Sequence, residues 1–153
     1  MNSQRLGNSL FYSGYLCSCS NVIFSRCFFD FFGDKFKRNG IDLEASPSFL
    51  NFSVYEQISR IYPVFINLVN NSRYWVGMVQ EGEKKILFDV LDHQVLIADT
   101  GPGVEEDDLK HLFSLFFTRK IRGGRGVGLY LCRANLAAGG HTIEYITENK
   151  RKK

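Results

Sequence analysis

Apolar positions along the chain change their spacing several times, and each change marks an element. Phe24, Phe28, Phe32 and Phe36 recur every fourth residue, with Cys27 and Phe31 alongside; that is the spacing of one helix face. The stripe predicts an amphipathic helix whose rings pack in the core. Asn39-Gly40 ends it, since glycine takes the left-handed conformation common just past a helix C-terminus. Residues 41–44 then alternate apolar and acidic, as a short strand does. Pro63 is placed in the first turn of a strong helix running to about residue 79, where its missing N–H is not needed. Val64, Ile66, Leu68, Val69, Trp75, Val76 and Val79 form a broad inward face on that helix.

Beyond a break at Gly82, residues 85–91 and 94–98 read as two strands of a hairpin turning at Asp92-His93. Residues 105–113 suit a short helix with acids in its first turn, which the helix dipole favours. A basic, glycine-rich loop follows, then an apolar helix over 127–138 stopped by Gly139-Gly140, and a last strand over 142–146. Residues 1–22 show no period. The pattern therefore divides the chain into an irregular segment 1–22, a folded unit 23–147 and a basic tail 148–153.

Length and charge narrow this further. A chain of 153 residues suits one domain with a real core. Much of its net charge of +3 comes from Lys150-Arg151-Lys152-Lys153, which reads as a solvated end rather than a nucleic-acid site. No apolar run approaches the ~18 residues of a membrane-spanning helix. Cys17, Cys19, Cys27 and Cys132 lack metal-ligand spacing, and scattered thiols of this kind suit a reducing, cytoplasmic compartment.

Three polar clusters carry the candidate chemistry. Asn67 and Asn71 lie four residues apart on the second helix, so they share a face; amide oxygens are hard ligands suited to Mg²⁺. Asp99 ends an apolar strand and is followed by Gly101 and Gly103. An acid at a strand end can accept from an exocyclic amine, and glycines let a flat ligand approach the main chain. Gly123-Gly124-Arg125-Gly126-Val127-Gly128 opens a helix, where free N–H groups and the dipole make an anion site. Arg119, Lys120, Arg122 and Arg125 crowd that loop and can neutralise phosphates. Taken singly, these are also a helix cap, a turn and a solvated loop. In this order, each at an element boundary, they describe a nucleotide site. Neither G-x-x-x-x-G-K-[ST] nor a strand-following G-x-G-x-x-G is present.

The same clusters carry a resemblance. Residues from about 36 to 146 resemble the ATP-binding domain of sensor histidine kinases, within the superfamily shared with type II topoisomerases and mismatch-repair ATPases. Asn67-Leu68-Val69-Asn70-Asn71-Ser72 looks like the N box, and Asp99-Thr100-Gly101-Pro102-Gly103 like the first glycine box. Phe113 through Phe116-Phe117-Thr118-Arg119-Lys120 looks like the F box that begins the ATP lid. Gly124-Arg125-Gly126-Val127-Gly128-Leu129 looks like the second glycine box. The resemblance implies a two-layer α/β sandwich, helices covering one face of a mixed sheet (the Bergerat ATP-binding fold). It implies ATP and Mg²⁺ as cofactors, Asn71 on the metal and Asp99 on the adenine amine. The lid with Gly126 and Gly128 would surround the phosphates. Gly101, Gly103, Thr118, Gly124, Arg125, Val127 and Leu129 would also bind the nucleotide. Lys120 or Arg119 would approach the terminal phosphate, these two with Asn67 being the catalytic candidates.

Departures from the pattern also inform. Hydrolytic branches of the superfamily place a water-activating Glu where this chain has Asn67, and an amide cannot take a proton; that favours the kinase branch. His93, His111 and His141 fall in a hairpin turn, on a short helix beside the lid and at a strand start. None suits a phosphoacceptor, so the acceptor His is expected on a partner chain or a missing domain. Family members add a strand after the one that follows Gly139-Gly140, so residues 142–146 are expected to form an exposed edge. Two other readings stand beside phosphoryl transfer in two-component signalling. One is a nucleotide-gated switch that shows or hides the Phe-rich helix; the other is a degenerate fragment that binds nothing.

Overall fold

The computed structural model describes residues 8–14, 21–22 and 24–146, but of the side chains before Phe32 only that of Phe29, and not that of Tyr55. In chain order the elements are β1 (Asn8–Gly14), β2 (Asn21–Val22), α1 (Phe24–Lys37), β3 (Asp42–Ala45), α2 (Pro47–Leu50) and β4 (Val54–Tyr55). Then come α3 (Ile58–Met78), β5 (Lys85–Leu91), β6 (Gln94–Asp99), α4 (Glu106–Leu109), α5 (Gly128–Ala138) and β7 (His141–Ile146). Five strands form one mixed sheet in the order β3-β5-β6-β1-β7, and β2 pairs with β4 in a separate ribbon. β3 runs parallel to β5, while the other neighbours are antiparallel.

The β5–β6 hairpin turns where the sequence places it. Asp92 and His93 both have positive φ, at 49° and 62°, which is the two-residue turn whose twist matches the strands. Its register sets Phe88 opposite Ile97 and Val90 opposite Val95, so one sheet face is a continuous apolar floor. Ile61, Val64, Phe65, Leu68, Val69 and Val76 of α3 join that floor in the core, as do Cys132 and Leu136 of α5. Phe88 is central: the rings of Phe29, Phe49 and Phe65 lie 5.3, 5.1 and 6.3 Å from its own. Phe29, Phe32 and Phe36 of α1 all pack into this core.

Several expectations need correction. Residues 8–14 are not irregular: β1 lies between β6 and β7, with Leu10 opposite both Ile97 and Tyr145. A strand flanked on both sides is specified by its neighbours' ladders as much as by its own alternation. β7 is the outermost strand as expected, but β1 covers its inner side. α3 begins at Ile58, so Pro63 lies inside the helix rather than in its first turn. Ile61 and Phe65 extend the buried stripe toward the N-terminus, and core packing outweighs the one hydrogen bond proline removes. The buried Glu56 carboxylate fixes that end, accepting from the Gln57 N–H at 2.7 Å and from Arg60 at 2.7 Å. The expected helix over 105–113 is only α4, because residues 110–116 continue as turns and a bend. The tail 148–153 lies outside the described residues.

Candidate functional site

The end of β6 meets the middle of α3. Thr100 clamps the strand end to β5: its hydroxyl accepts from the Lys85 N–H at 2.9 Å and its N–H donates to the Lys85 carbonyl at 3.0 Å. The clamp fixes the preceding residue, Asp99, whose Oδ1 accepts from the Gly101 N–H at 2.9 Å. Burial pushes the Asp99 carboxyl above its usual value, opposed by the Ser72 hydroxyl and the Gly101 N–H. Gly101 itself lies behind the carboxylate. A Cβ there would stand 2.8 Å from Asp99 Oδ1 and 3.1 Å from the Trp75 Cβ.

On α3, Asn67, Asn70, Asn71 and Trp75 face the same space as Asp99. This is a cavity of about 710 Å³, within the usual size of a small-molecule site. Ile97, Val104, Leu112 and Phe117 supply apolar wall suited to a flat ring. Tyr145 of β7 closes one side, its hydroxyl accepting from the Val104 N–H at 3.1 Å. Burial pushes the Tyr145 phenol up to about 12, so it stays neutral.

The same cavity is lined by the start of α5: Gly126, Val127, Gly128 and Leu129. Val127 caps this helix without a side-chain hydrogen bond, which leaves first-turn N–H groups free for an anion. Gly128 packs closely on α3, because a Cβ there would lie 3.4 Å from Asn67 Oδ1. Two glycines close the base of the loop before α5. A Cβ on Gly124 would collide with the Thr118 hydroxyl, and one on Gly126 with the Phe116 backbone. Gly126 also has a φ of +66°, which a side chain tolerates poorly.

Thr118, Arg119, Lys120 and Arg125 line the loop side of the cavity. The Arg119 guanidinium makes two bonds to the buried Asp108 carboxylate, at 2.8 and 2.7 Å. That pairing holds the Asp108 carboxyl below its usual range and engages Arg119 at α4 rather than in open space. Lys120 is half-buried; burial, with nearby Arg73, lowers its ammonium pKa. Among the described residues no cluster of three or more His, Cys, Asp or Glu could hold a metal. A cation here would therefore draw on amide oxygens and on its ligand's own oxygens.

Of the site residues read from sequence, Asn67, Asn71, Asp99, Gly103, Thr118, Arg119, Lys120, Gly124, Arg125, Gly126, Val127, Gly128 and Leu129 line this one cavity. Gly101 supports it from behind. Ser72, Asp108, Leu112 and Tyr145 were missed. Ser72 and Asp108 are polar residues that become informative only once a burial partner is known, and Tyr145 is one apolar position of a strand.

A family model described as histidine kinase-, DNA gyrase B- and HSP90-like ATPase matches residues 56–153. The chain belongs to that family. The resemblance carried by the four motifs therefore holds, and the lined cavity lies on the matched segment. The sensory histidine kinase/phosphatase NtrB of Rhizobium leguminosarum bv. phaseoli is 33% identical over 115 residues, covering 65% of this chain and 30% of NtrB. The histidine-protein kinase BaeS of Escherichia coli K12 is 30% identical over 109 residues, 66% of this chain and 22% of BaeS. The chain thus spans less than a third of these relatives. The catalytic domain of the histidine kinase ThkA superposes with a TM-score of 0.61 at 25% identity, covering 84% of this chain and 95% of that domain. The mixed α/β sheet with its helices is the fold of that domain. No described helix is long and apolar enough to cross a membrane.

Proposed function

We propose that this chain is the Mg·ATP-binding domain of a histidine-kinase-type phosphotransferase, which presents the γ-phosphoryl group to a His on a partner chain or another domain. The observation that carries the reading is that one cavity is lined both by a half-buried carboxylate, Asp99, and by the glycine-rich start of α5. Adenine would lie against the apolar lining, its amine donating to Asp99. The phosphates would lie against the first-turn N–H groups of α5 and the Thr118, Lys120 and Arg125 side chains.

The residues present suit Mg²⁺ bound together with a nucleotide. The Asn71 amide oxygen would hold it, with Asn67 and Asn70 beside it, and the ion would neutralise charge on the phosphate oxygens. The chain's own part is positioning. Asn67 has no proton-accepting group with which to activate water, so the bound phosphoryl group is kept for an incoming imidazole rather than lost to hydrolysis. The gated-switch alternative needed α1 to present its rings. Phe29, Phe32 and Phe36 are packed in the core, and the rings of Phe24, Phe28 and Phe31 lie outside the described side chains, so no observation of this helix favours that reading over transfer.

The test is transfer from γ-labelled ATP to a separately supplied helical hairpin bearing a phosphoacceptor His, taken from a sensor kinase. Acid-labile, base-stable label on the hairpin, absent when the His is changed to Gln, supports the proposal. Nucleotide binding with no label on any of a panel of such hairpins counts against transfer.

A further inference from the structure

One contact between the loop before α5 and the rest of the domain has no part in the site as described above. Tyr74 lies on α3 one turn beyond Asn70 and Asn71, outside the cavity lining. Its hydroxyl accepts a hydrogen bond from the backbone N–H of Ile121 at 3.2 Å. Its ring lies under the ammonium of Lys120, which sits 4.8 Å from the ring centroid. Its edge-to-face neighbour at 5.0 Å is Trp75, which does line the cavity. One side chain thus grips two successive residues of the loop through two different chemistries.

We propose that Tyr74 is a positioning residue that docks the loop on α3 and holds the Lys120 ammonium at the cavity, ready for the phosphates of the incoming nucleotide. The inference rests on the Mg·ATP reading above for its second half only. Three further observations favour it. Among the described residues no carboxylate pairs with Lys120, so the Tyr74 ring is the group that holds this cation in place. Burial and the nearby Arg73 disfavour the charged amine where it sits, so an anion in the cavity would relieve a cost already present. Beyond the Tyr74 contact the loop leaves the surface: Ile121 is 89% exposed. Tyr74 is therefore the last grip on the loop before its tip.

The chemistry requires tyrosine. Phenylalanine would keep the ring face for Lys120 but lose the acceptor for the Ile121 N–H. Leucine would lose both, and a basic residue would repel Lys120. Holding a charged side chain in its bound position before the ligand arrives lowers the ordering cost of binding. Loss of one cation–π contact and one hydrogen bond corresponds to affinity weaker by about 5–30-fold.

The experiment compares wild type, Tyr74→Phe, Tyr74→Leu, Lys120→Met and the Tyr74→Leu/Lys120→Met pair. Ile121 amide exchange is followed by NMR without nucleotide, and Mg·ATP affinity by calorimetry. Exchange at Ile121 is expected to speed up in both Tyr74 variants while core amides stay protected. Affinity is expected to fall slightly in Tyr74→Phe and about 5–30-fold in Tyr74→Leu, with little further loss in the double variant, because Tyr74 acts through Lys120. Unchanged Ile121 exchange in Tyr74→Phe overturns the docking. Additive losses for Tyr74→Leu and Lys120→Met overturn the positioning role. If wild type binds no ATP, the nucleotide reading and the positioning role fall together, while the exchange comparison still decides whether Tyr74 docks the loop.

Discussion

Replacing Gly101 by alanine isolates the geometry of the Asp99 carboxylate without touching the acid itself. The added methyl would stand 2.8 Å from Asp99 Oδ1 and 3.1 Å from the Trp75 Cβ. Ordinary contact begins near 3.4 Å, so the carboxylate must shift by about 0.6 Å and the Trp75 Cβ, fixed on α3, by about 0.3 Å. Overpacking of this kind costs about 1–3 kcal/mol, or about 3–9 °C in melting midpoint for a chain of this size. The functional consequence is larger. A hydrogen bond to a charged group is worth about 1.5–3 kcal/mol, so a displaced Asp99 weakens nucleotide binding by about 10–150-fold. Gly77→Ala is the control: Gly77 is exposed on α3 with nothing within 4 Å of an added Cβ. That change is expected to stabilise by about 0.5–1 kcal/mol and leave binding alone. Thermal melts and calorimetric titration with Mg·ATP read both variants, and Trp75, the sole tryptophan, reports the same site by fluorescence. Wild-type affinity in Gly101→Ala would refute the assignment of Asp99 as a rigidly held recognition group.

Burial raises the Asp99 carboxyl pKa against the pull of Ser72 and Gly101, so its ionised form opposes folding; that penalty is full above the folded pKa and gone below the unfolded one. Asp99→Asn should therefore melt above wild type at pH 7, with the gap closing as pH falls into the carboxylate range, and identical melts throughout would contradict this. The Asp108 carboxyl is shifted the other way by Arg119, so their pairing supports the loop above the ordinary carboxylate value of about 3.9 and is lost as pH falls through the lower folded value. Amide protection at residues 118–121 is expected to be flat from about pH 7 to pH 5 and to drop below about pH 4; Asp108→Asn should show the low protection at every pH, and a loop indifferent to both changes would contradict the Asp108–Arg119 pairing as its support. Leu10→Pro takes an N–H from a strand paired on both sides and should lower the melting midpoint. An unaltered melt would argue against β1 as an interior strand.

Legibility in the sequence followed local signal. The β5–β6 hairpin, α1 and α5 are visible because their period and their end signals agree: turn residues at Asp92-His93, Gly40 after α1, Gly139-Gly140 after α5. The cavity was legible for a different reason. Asp99 and the glycines of the loop sit at element boundaries, and Asn71 lies inside α3 one turn beyond Asn67, so both amides share a face. β1 was not legible, since a strand between two others draws its pairing from residues 81 to 137 positions away and needs little periodicity of its own. The early start of α3 was hidden by Pro63, a strong local signal overridden by the burial of Ile61 and Phe65. Ser72, Asp108 and Tyr145 act through partners distant in sequence (Asp99, Arg119 and Val104), and no spacing rule marks such pairs.

The central claim is that Asp99 and Asn71 serve one Mg·ATP site, and calorimetric titration of ATP with and without Mg²⁺ tests it most directly. Wild type is expected to bind with Mg²⁺ dependence. Asp99→Asn is expected to lose binding while remaining folded, and Asn71→Ala to lose only the Mg²⁺-dependent part. A folded wild-type chain that binds no ATP, or an Asp99→Asn variant that binds as wild type does, would contradict the account.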